Sequence, residues 1–310
     1  KKITNKASLL LVDEAQQTLN HVVSCRLGDE SDRELIYNEF LELVKKTKKV
    51  VMCDADINDS LIEFVTDSGR DVFVYQVETN HSEIQICVND LDAVKQEFYD
   101  AVRTGKRALL ATDNAKQAEG MYLNLINKFK DKKVLLLTKQ TIQNTVQKKF
   151  LENPNNLDEV DVLIYSPVIT SSVSIVVPWF DAHFGLFEGI LVPTDCIQML
   201  RRSRTAKLFY VGLNNPKIRN YSAENKHRYM QQYEGKAGFD RIAALIDGDT
   251  FYLKSHFVSS FIKSLELDKF RVVVGGQNNI RSQNGRLNSA VEKQLSDQEY
   301  IDKIVAALEQ

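Results

Sequence analysis

Cysteine, proline and tryptophan are scarce in this chain: 4 Cys, 5 Pro and 1 Trp among 310 residues, with 13 Gly. The cysteines, at positions 25, 53, 87 and 196, form no CxxC pair and no metal-ligand spacing, so they read as reduced thiols and point to a reducing intracellular compartment. So little Pro and Gly excludes a collagen-like or low-complexity chain. No stretch reaches the ~18 uninterrupted apolar residues of a membrane helix, and the longest runs, SLLLV and KVLLLT, are strand-sized. No membrane partner is expected. The opening KKITNKASLLLV lacks the long apolar core and small-residue cleavage site of a signal peptide. It also lacks an initial Met and runs straight into a strand pattern, so a piece of something longer is expected.

What is present suits a folded protein. Hydrophobic residues make up 43% of the chain and charged ones 26%, and the length fits two domains with an appendage. The net charge of −2 conceals an asymmetry: residues 1–100 carry 11 Lys/Arg against 20 Asp/Glu, whereas residues 199–241 carry 10 against 3. A polyanion would prefer the second region, although basic side chains also simply solvate helical surfaces.

Short apolar runs alternate with amphipathic stretches. SLLLV, KKVVMC, DVFVYQV, RALLAT, KVLLLT, DVLIYS, DAHFGLF and KLFYVGL predict strands. DRELIYNEFLELVKK predicts a helix with Leu35, Ile36, Phe40, Leu43 and Val44 on its apolar face, and AKQAEGMYLNLINKFK another with Ala118, Met121, Leu125 and Phe129. This alternation implies α/β architecture with parallel sheets covered on both faces. A break near residues 79–95 divides an incomplete α/β domain, 1–90, from a complete one, 91–213. From 214 to 310 the pattern changes to an accessory α+β region ending in a polar amphipathic helix at about 289–309.

In open parallel sheets ligands sit beyond the carboxyl ends of the strands, so the residues just past each strand are the candidates. LLLV is followed by Asp13 and Glu14; the first suits a hydrated Mg²⁺ and the second the orientation or deprotonation of water, although such pairs also decorate helix starts. VVMC is followed by Asp54 and Asp56. RALLA leads to Thr112, Asp113 and Asn114, KVLLL to Thr138 and Lys139, and DVLIY to a hydroxyl-rich turn with Thr170, Ser171 and Ser174. Hydroxyls can bind phosphate oxygens without reading bases, or act as turn and N-cap groups. CIQMLRRSRTAK predicts a helix bringing Gln198, Arg201 and Arg202 within about one turn, with Arg204 beyond; salt-bridged surface arginines are the alternative.

The ordered series resembles a superfamily 2 helicase, across residues 8 to about 213: LLLVDEAQ is similar to motif II, VVMCDADI to motif III, ALLATDNAKQAE to motif IV, YSPVITSSVSI to motif V and QMLRRSR to motif VI. DADI, SPVITSSVSI and HFGLFEGILVPTDCIQMLRRSR narrow the resemblance to the herpesvirus-type origin-binding helicases and related plasmid and viral replication proteins. Motif VI of that family reads QxxGRxR, so Gln198, Arg202 and Arg204 match while Arg201 replaces glycine; Ser172 likewise stands where motif V has glycine.

This resemblance implies two RecA-like domains, the first incomplete, with ATP and Mg²⁺ as cofactors and a nucleotide cleft between them. It assigns catalysis to Asp13, Glu14, Gln198, Arg202 and Arg204, and the metal to Asp13. Nucleotide contacts fall to Asp13, Glu14, Ser174, Arg202 and Arg204, and coupling to Asp54 and Asp56. Nucleic-acid contacts fall to Thr112, Asn114, Lys116, Thr138, Lys139, Thr170, Ser171 and Arg201. Partners would be single-stranded or forked DNA and replication proteins such as primase, polymerase and single-strand binding protein. No GxxxxGK[ST] phosphate loop occurs in the sequence, so this piece by itself is expected to hydrolyse ATP poorly or not at all. A non-catalytic origin-binding or scaffold protein, and an unrelated α/β enzyme that binds a metal-diphosphate, are the competing readings.

Overall fold

The structure, a computed structural model, describes residues 8–23, 29–168, 173–214, 235 and 237–275. These fall into two compact units, one from residues 8–78 with 237–255, the other from 79–214 with 256–275.

In the first unit β1 (Leu9–Val12) pairs in parallel with β2 (Lys49–Met52), Leu9 opposite Lys49 and Val12 opposite Met52. Helices α1 (Ala15–Val23), α2 (Glu30–Lys46) and α3 (Asp59–Asp67) join them. Asp29 caps α2 through Asp32 N, and Asn58 caps α3 through Ser60 N, so two orphan N–H groups are met by the short polar side chains such positions favour. Arg70 satisfies carbonyls at the far end of α2, donating to Val44 O at 2.8 Å and to Thr47 O. The buried stripe of α2 is Tyr37, Leu41 and Val44, while Leu35 and Ile36 are exposed: helical spacing also permits the neighbouring face, and packing against Phe64 chooses Tyr37.

A helix from the region expected to be accessory, α8 (Phe239–Ser255), supplies Phe239, Ile242 and Ile246 to this same core, with the Phe239 ring edge-on to Tyr37 at 5.6 Å. DVFVYQV forms no strand; Phe73 is 93% and Tyr75 89% exposed. Its β-rich composition pairs with no strand among the described residues, and strand propensity is realised only by pairing.

The second unit holds a seven-stranded, wholly parallel sheet in the order β5-β6-β4-β7-β8-β3-β9. The strands are β3 (Gln85–Asp90), β4 (Ala108–Thr112), β5 (Val134–Leu137), β6 (Val162–Tyr165), β7 (Ala182–Phe187), β8 (Leu208–Leu213) and β9 (Arg271–Val274). Two of them, β3 and β9, escape the sequence reading; β3 lies inside the expected break and belongs to this sheet rather than to a domain ending at residue 90.

One sheet face is covered by α4 (Leu91–Arg103) and α5 (Ala115–Lys128), the other by α6 (Thr145–Glu152), α7 (Pro193–Leu200) and α9 (Phe257–Leu267). Alternation along β4 shows the two-sided burial: Ala108 and Leu110 join the core with Phe98 and Met121, whereas Leu109 and Ala111 join that with Leu200 and Phe261. Ala118, Met121 and Leu125 of α5 are fully buried, and Phe129 partly so. At Gly212 the sheet and α4 approach so closely that a Cβ would stand 2.8 Å from Leu91 Cα. No helix among the described residues is long and apolar enough to cross a membrane.

Candidate functional site

In the first unit the acidic end of β1 is built jointly with the end of β2. Backbone hydrogen bonds continue past both strands, Cys53 N to Val12 O and Ala15 N to Cys53 O, each 2.9 Å. Asp54 then turns its carboxylate onto α1: Oδ2 accepts from Gln16 N at 2.8 Å and Gln17 N at 3.3 Å, and Oδ1 from Asp56 N at 2.9 Å. Gln16, buried, donates to Asn20 Oδ1 and Ser60 Oγ and accepts from Asn58 N, tying the start of α1 to that of α3. Asp13 is exposed and accepts from Glu14 N at 3.1 Å. Glu14 is half-buried with φ of 52°, a left-handed backbone uncommon for a residue with Cβ.

Among the described residues no three His, Cys, Asp or Glu side chains gather into a protein cage for a metal. The donor set here is the exposed carboxylate of Asp13, with half-buried Glu14 next to it in the chain. That fits Mg²⁺ of the kind held mainly by water and phosphate oxygens, with one or two carboxylates from the protein.

In the second unit all strands are parallel, so every candidate strand end lies on one edge of the sheet. Thr112 is fully buried and donates to Gln117 Oε1 at 2.8 Å. Asn114 caps α5 through Gln117 N and donates to Glu188 Oε2 at 3.2 Å, while Gln117 donates to Glu188 Oε1 at 2.6 Å. Asp113, buried at the same strand end, accepts from the backbone N–H groups of Glu188, Ile190 and Leu191 at 2.9, 2.7 and 3.4 Å, which fixes the turn leading into α7. Burial pushes its carboxyl up to about 6 although those three donors pull it down. Thr138 is also fully buried, and it faces Glu119, whose carboxyl burial raises to about 7 while the Thr138 hydroxyl and Lys116 hold it back. Lys116 and Lys139 are exposed on this edge. Thr112 and Thr138 thus belong to the support of the strand ends and have no surface to offer a bound strand; Asn114 is partly exposed.

The segments around Ser174–Ile175 and Arg202–Arg204 are joined directly. Ile175 N donates to Arg202 O at 2.8 Å, and Arg204 N to Ile175 O at 2.9 Å. This puts Ser174 beside Arg204, whose Nε donates to Ser174 Oγ at 3.4 Å. Gln198 is half-buried on α7; Arg202 is only 9% exposed and acts electrostatically on the phenol of Tyr165; Arg201 is half-buried; Arg204 is exposed. Burial and the neighbouring Arg204 draw the Arg201 guanidinium below its ordinary value, against the pull of Glu83. Thr170 and Ser171 lie outside the described residues.

Sequence reasoning places Asp113 at a strand end without giving it a role, and misses Gln117, Glu188, His183 and Ser203. For Glu188 a signal exists, since it follows β7 directly and the strand-end rule covers it. For His183 and Ser203, mid-strand and mid-turn, there is none.

No protein-family model and no curated protein matches the chain. Solved structures do resemble it. Saccharomyces cerevisiae Dbp5 bound to Gle1 and IP6 is 12% identical with TM-score 0.48, covering 92% of this chain and 61% of that one. The DEAD-box helicase Mss116 bound to single-stranded RNA and UDP-BeF is 15% identical with TM-score 0.46, covering 98% and 65%. The yeast DEAD-box splicing factor Prp28 is 14% identical with TM-score 0.33, covering 81% and 55%. The chain therefore spans less than two thirds of the length of these structures.

Proposed function

We propose that this chain is part of an ATP-dependent nucleic-acid helicase or translocase acting in DNA replication, of the origin-binding type that the motif order suggests. The observation that carries the reading is the bridge between Ile175 and the turn at Arg202 and Arg204, with Ser174 against Arg204. Two stretches 30 residues apart, each assigned to phosphate handling on its sequence alone, are hydrogen-bonded to each other. In this reading Mg²⁺ with ATP supplies Lewis-acid neutralisation of phosphate charge, and Asp13 holds the metal. Glu14 orients the water or takes its proton. Arg202 and Arg204 stabilise charge on the transferring phosphoryl group, Gln198 assists from the preceding turn of α7, and Arg201, Lys116, Lys139 and Asn114 meet the nucleic-acid backbone. Asp54 and Asp56 couple the acidic pair to the start of α3. Single-stranded or forked DNA is the partner, with replication proteins acting on the same fork.

The test is binding of the chain to single-stranded DNA and RNA of equal length as salt is raised. Affinity falling steeply with salt, as released counterions require, with DNA at least as tight as RNA, supports the reading. Absent binding at low salt would sink it, and a clear RNA preference would move the protein out of DNA replication.

A further inference from the structure

Ser203, between the two arginines of the bridged turn, is 1% exposed, and its hydroxyl lies 3.0 Å from Nε2 of His183. His183 is 8% exposed on β7, with the rings of Phe180 and Phe209 set edge-on at 6.3 and 5.6 Å. Burial lowers the imidazole to about 4 although Asp181 opposes this, so at neutral pH the ring is uncharged and can accept from Ser203. Ile175 brackets the backbone of Ser203 from both sides, and Tyr165 donates to Met199 O at 2.6 Å where α7 ends. The turn is thus gripped by three strands or strand-like segments.

What it carries has an electrostatic cost. Arg201 and Arg204 are near enough to repel, and Arg201 Nη1 is buried without a hydrogen-bond partner among the described residues. Like charges held together with a buried donor unmet are expensive, and an anion offsets both costs.

We propose that His183 and Ser203 are positioning residues that hold the 201–204 turn so that its arginines receive the phosphate groups of a bound ligand. Neither touches phosphate; the hydroxyl–imidazole bond fixes the backbone from which the guanidinium groups project. The inference rests on the reading that these arginines meet phosphate. The phosphates belong either to a nucleic-acid backbone or to a nucleotide.

The test titrates the whole chain with a fluorescent oligo(dT) of about 20 nucleotides, and separately with a fluorescent Mg·ATP analogue, from roughly 50 to 200 mM salt. Variants are Ser203→Ala, Ser203→Thr, His183→Phe, the Ser203→Ala/His183→Phe double, Arg201→Ala and Arg204→Ala, each checked by thermal melting. His183→Phe keeps a ring but removes the acceptor. The double removes both partners, which restores much of the stability lost by either single change if only an unmet polar group is at stake.

We expect Ser203→Ala and the double to bind about threefold to tenfold more weakly, with the salt slope reduced by about 1, and Ser203→Thr to bind like wild type. The double variant's weak binding despite restored melting is the signature of positioning. Loss confined to oligo(dT) or to the ATP analogue names the source of the phosphate. Normal binding by the double variant, with Arg201→Ala or Arg204→Ala impaired, overturns the positioning role and leaves the functional reading intact. Normal binding by both arginine variants overturns the reading itself and the inference with it.

Discussion

Asp54 Oδ2 accepts the N–H of Gln16 at 2.8 Å from 38 positions along the chain, and so caps a helix to which it does not belong. The residue preceding α1, Glu14, is in a left-handed conformation rather than the extended one of an N-cap. The capping group comes instead from Asp54, just past the end of β2. Asp54→Ala should cost the first unit about 1–2 kcal/mol, as other N-cap removals do, with Asp54→Asn intermediate. Urea denaturation followed in that unit checks this. An unchanged midpoint would mean that water replaces the carboxylate at no cost.

Asp13→Ala and Glu14→Gln should leave folding within about 0.5 kcal/mol of wild type, since one side chain is exposed and the other keeps its shape. In a protein that joins this chain to a phosphate loop, each should abolish hydrolysis, and Glu14→Gln should still bind nucleotide. DNA-stimulated hydrolysis at a normal rate in either variant would reduce the pair to a helix start.

The buried Arg202 and exposed Arg204 should separate by observable. Arg204→Ala should reduce the salt slope of DNA binding by about 1 with little change in melting. Arg202→Ala should lower melting as well as turnover, because it empties a packed position beside Tyr165. Equal melting of the two variants would contradict the burial difference.

Acid stability carries opposing contributions. His183, near 4 when folded against 6.5 ordinarily, is protonated first in the unfolded chain, so its contribution is complete above 6.5 and drains as pH falls towards 4. Asp113 and Glu119, raised to about 6 and 7, are protonated first in the folded chain, and their contribution grows as pH falls through those values. His183→Phe removes only the first. Acidification from about pH 7 to 5 should then favour the variant over wild type by roughly 2 kcal/mol more than at neutrality. Parallel urea midpoints at the two pH values would refute this.

Gly185 and Gly212 should differ in their tolerance of alanine. A Cβ at Gly185 meets side-chain atoms of Leu200 and Phe187 at 2.7 Å, which can shift, whereas at Gly212 it meets the backbone of Leu91 at 2.8 Å. Both changes overpack, at about 1–3 kcal/mol, with Gly212→Ala the more costly. Melting temperatures of the two variants decide the order.

Local pattern by itself determined that this is an α/β protein with parallel sheets, because strands buried on both faces must be apolar throughout, as ALLA, VLLL and VLIY are. It also placed Asp13, Asp54 and Arg204 at strand ends or just past a helix, since those positions follow from where apolar runs stop. Only tertiary structure decided which polar groups work outward and which inward. Thr112 and Asn114 look alike as strand-end residues, yet the partners that engage them, Gln117 and Glu188, come in the second case from 74 positions away. Nor could composition separate DVFVYQV, which forms no strand, from QICVND, which does: a strand is made by its neighbour, and β8 lies beside the latter alone. The bond between Ser203 and His183 is of the same kind, set by where α7 ends against β7, a distance that no spacing in the sequence encodes.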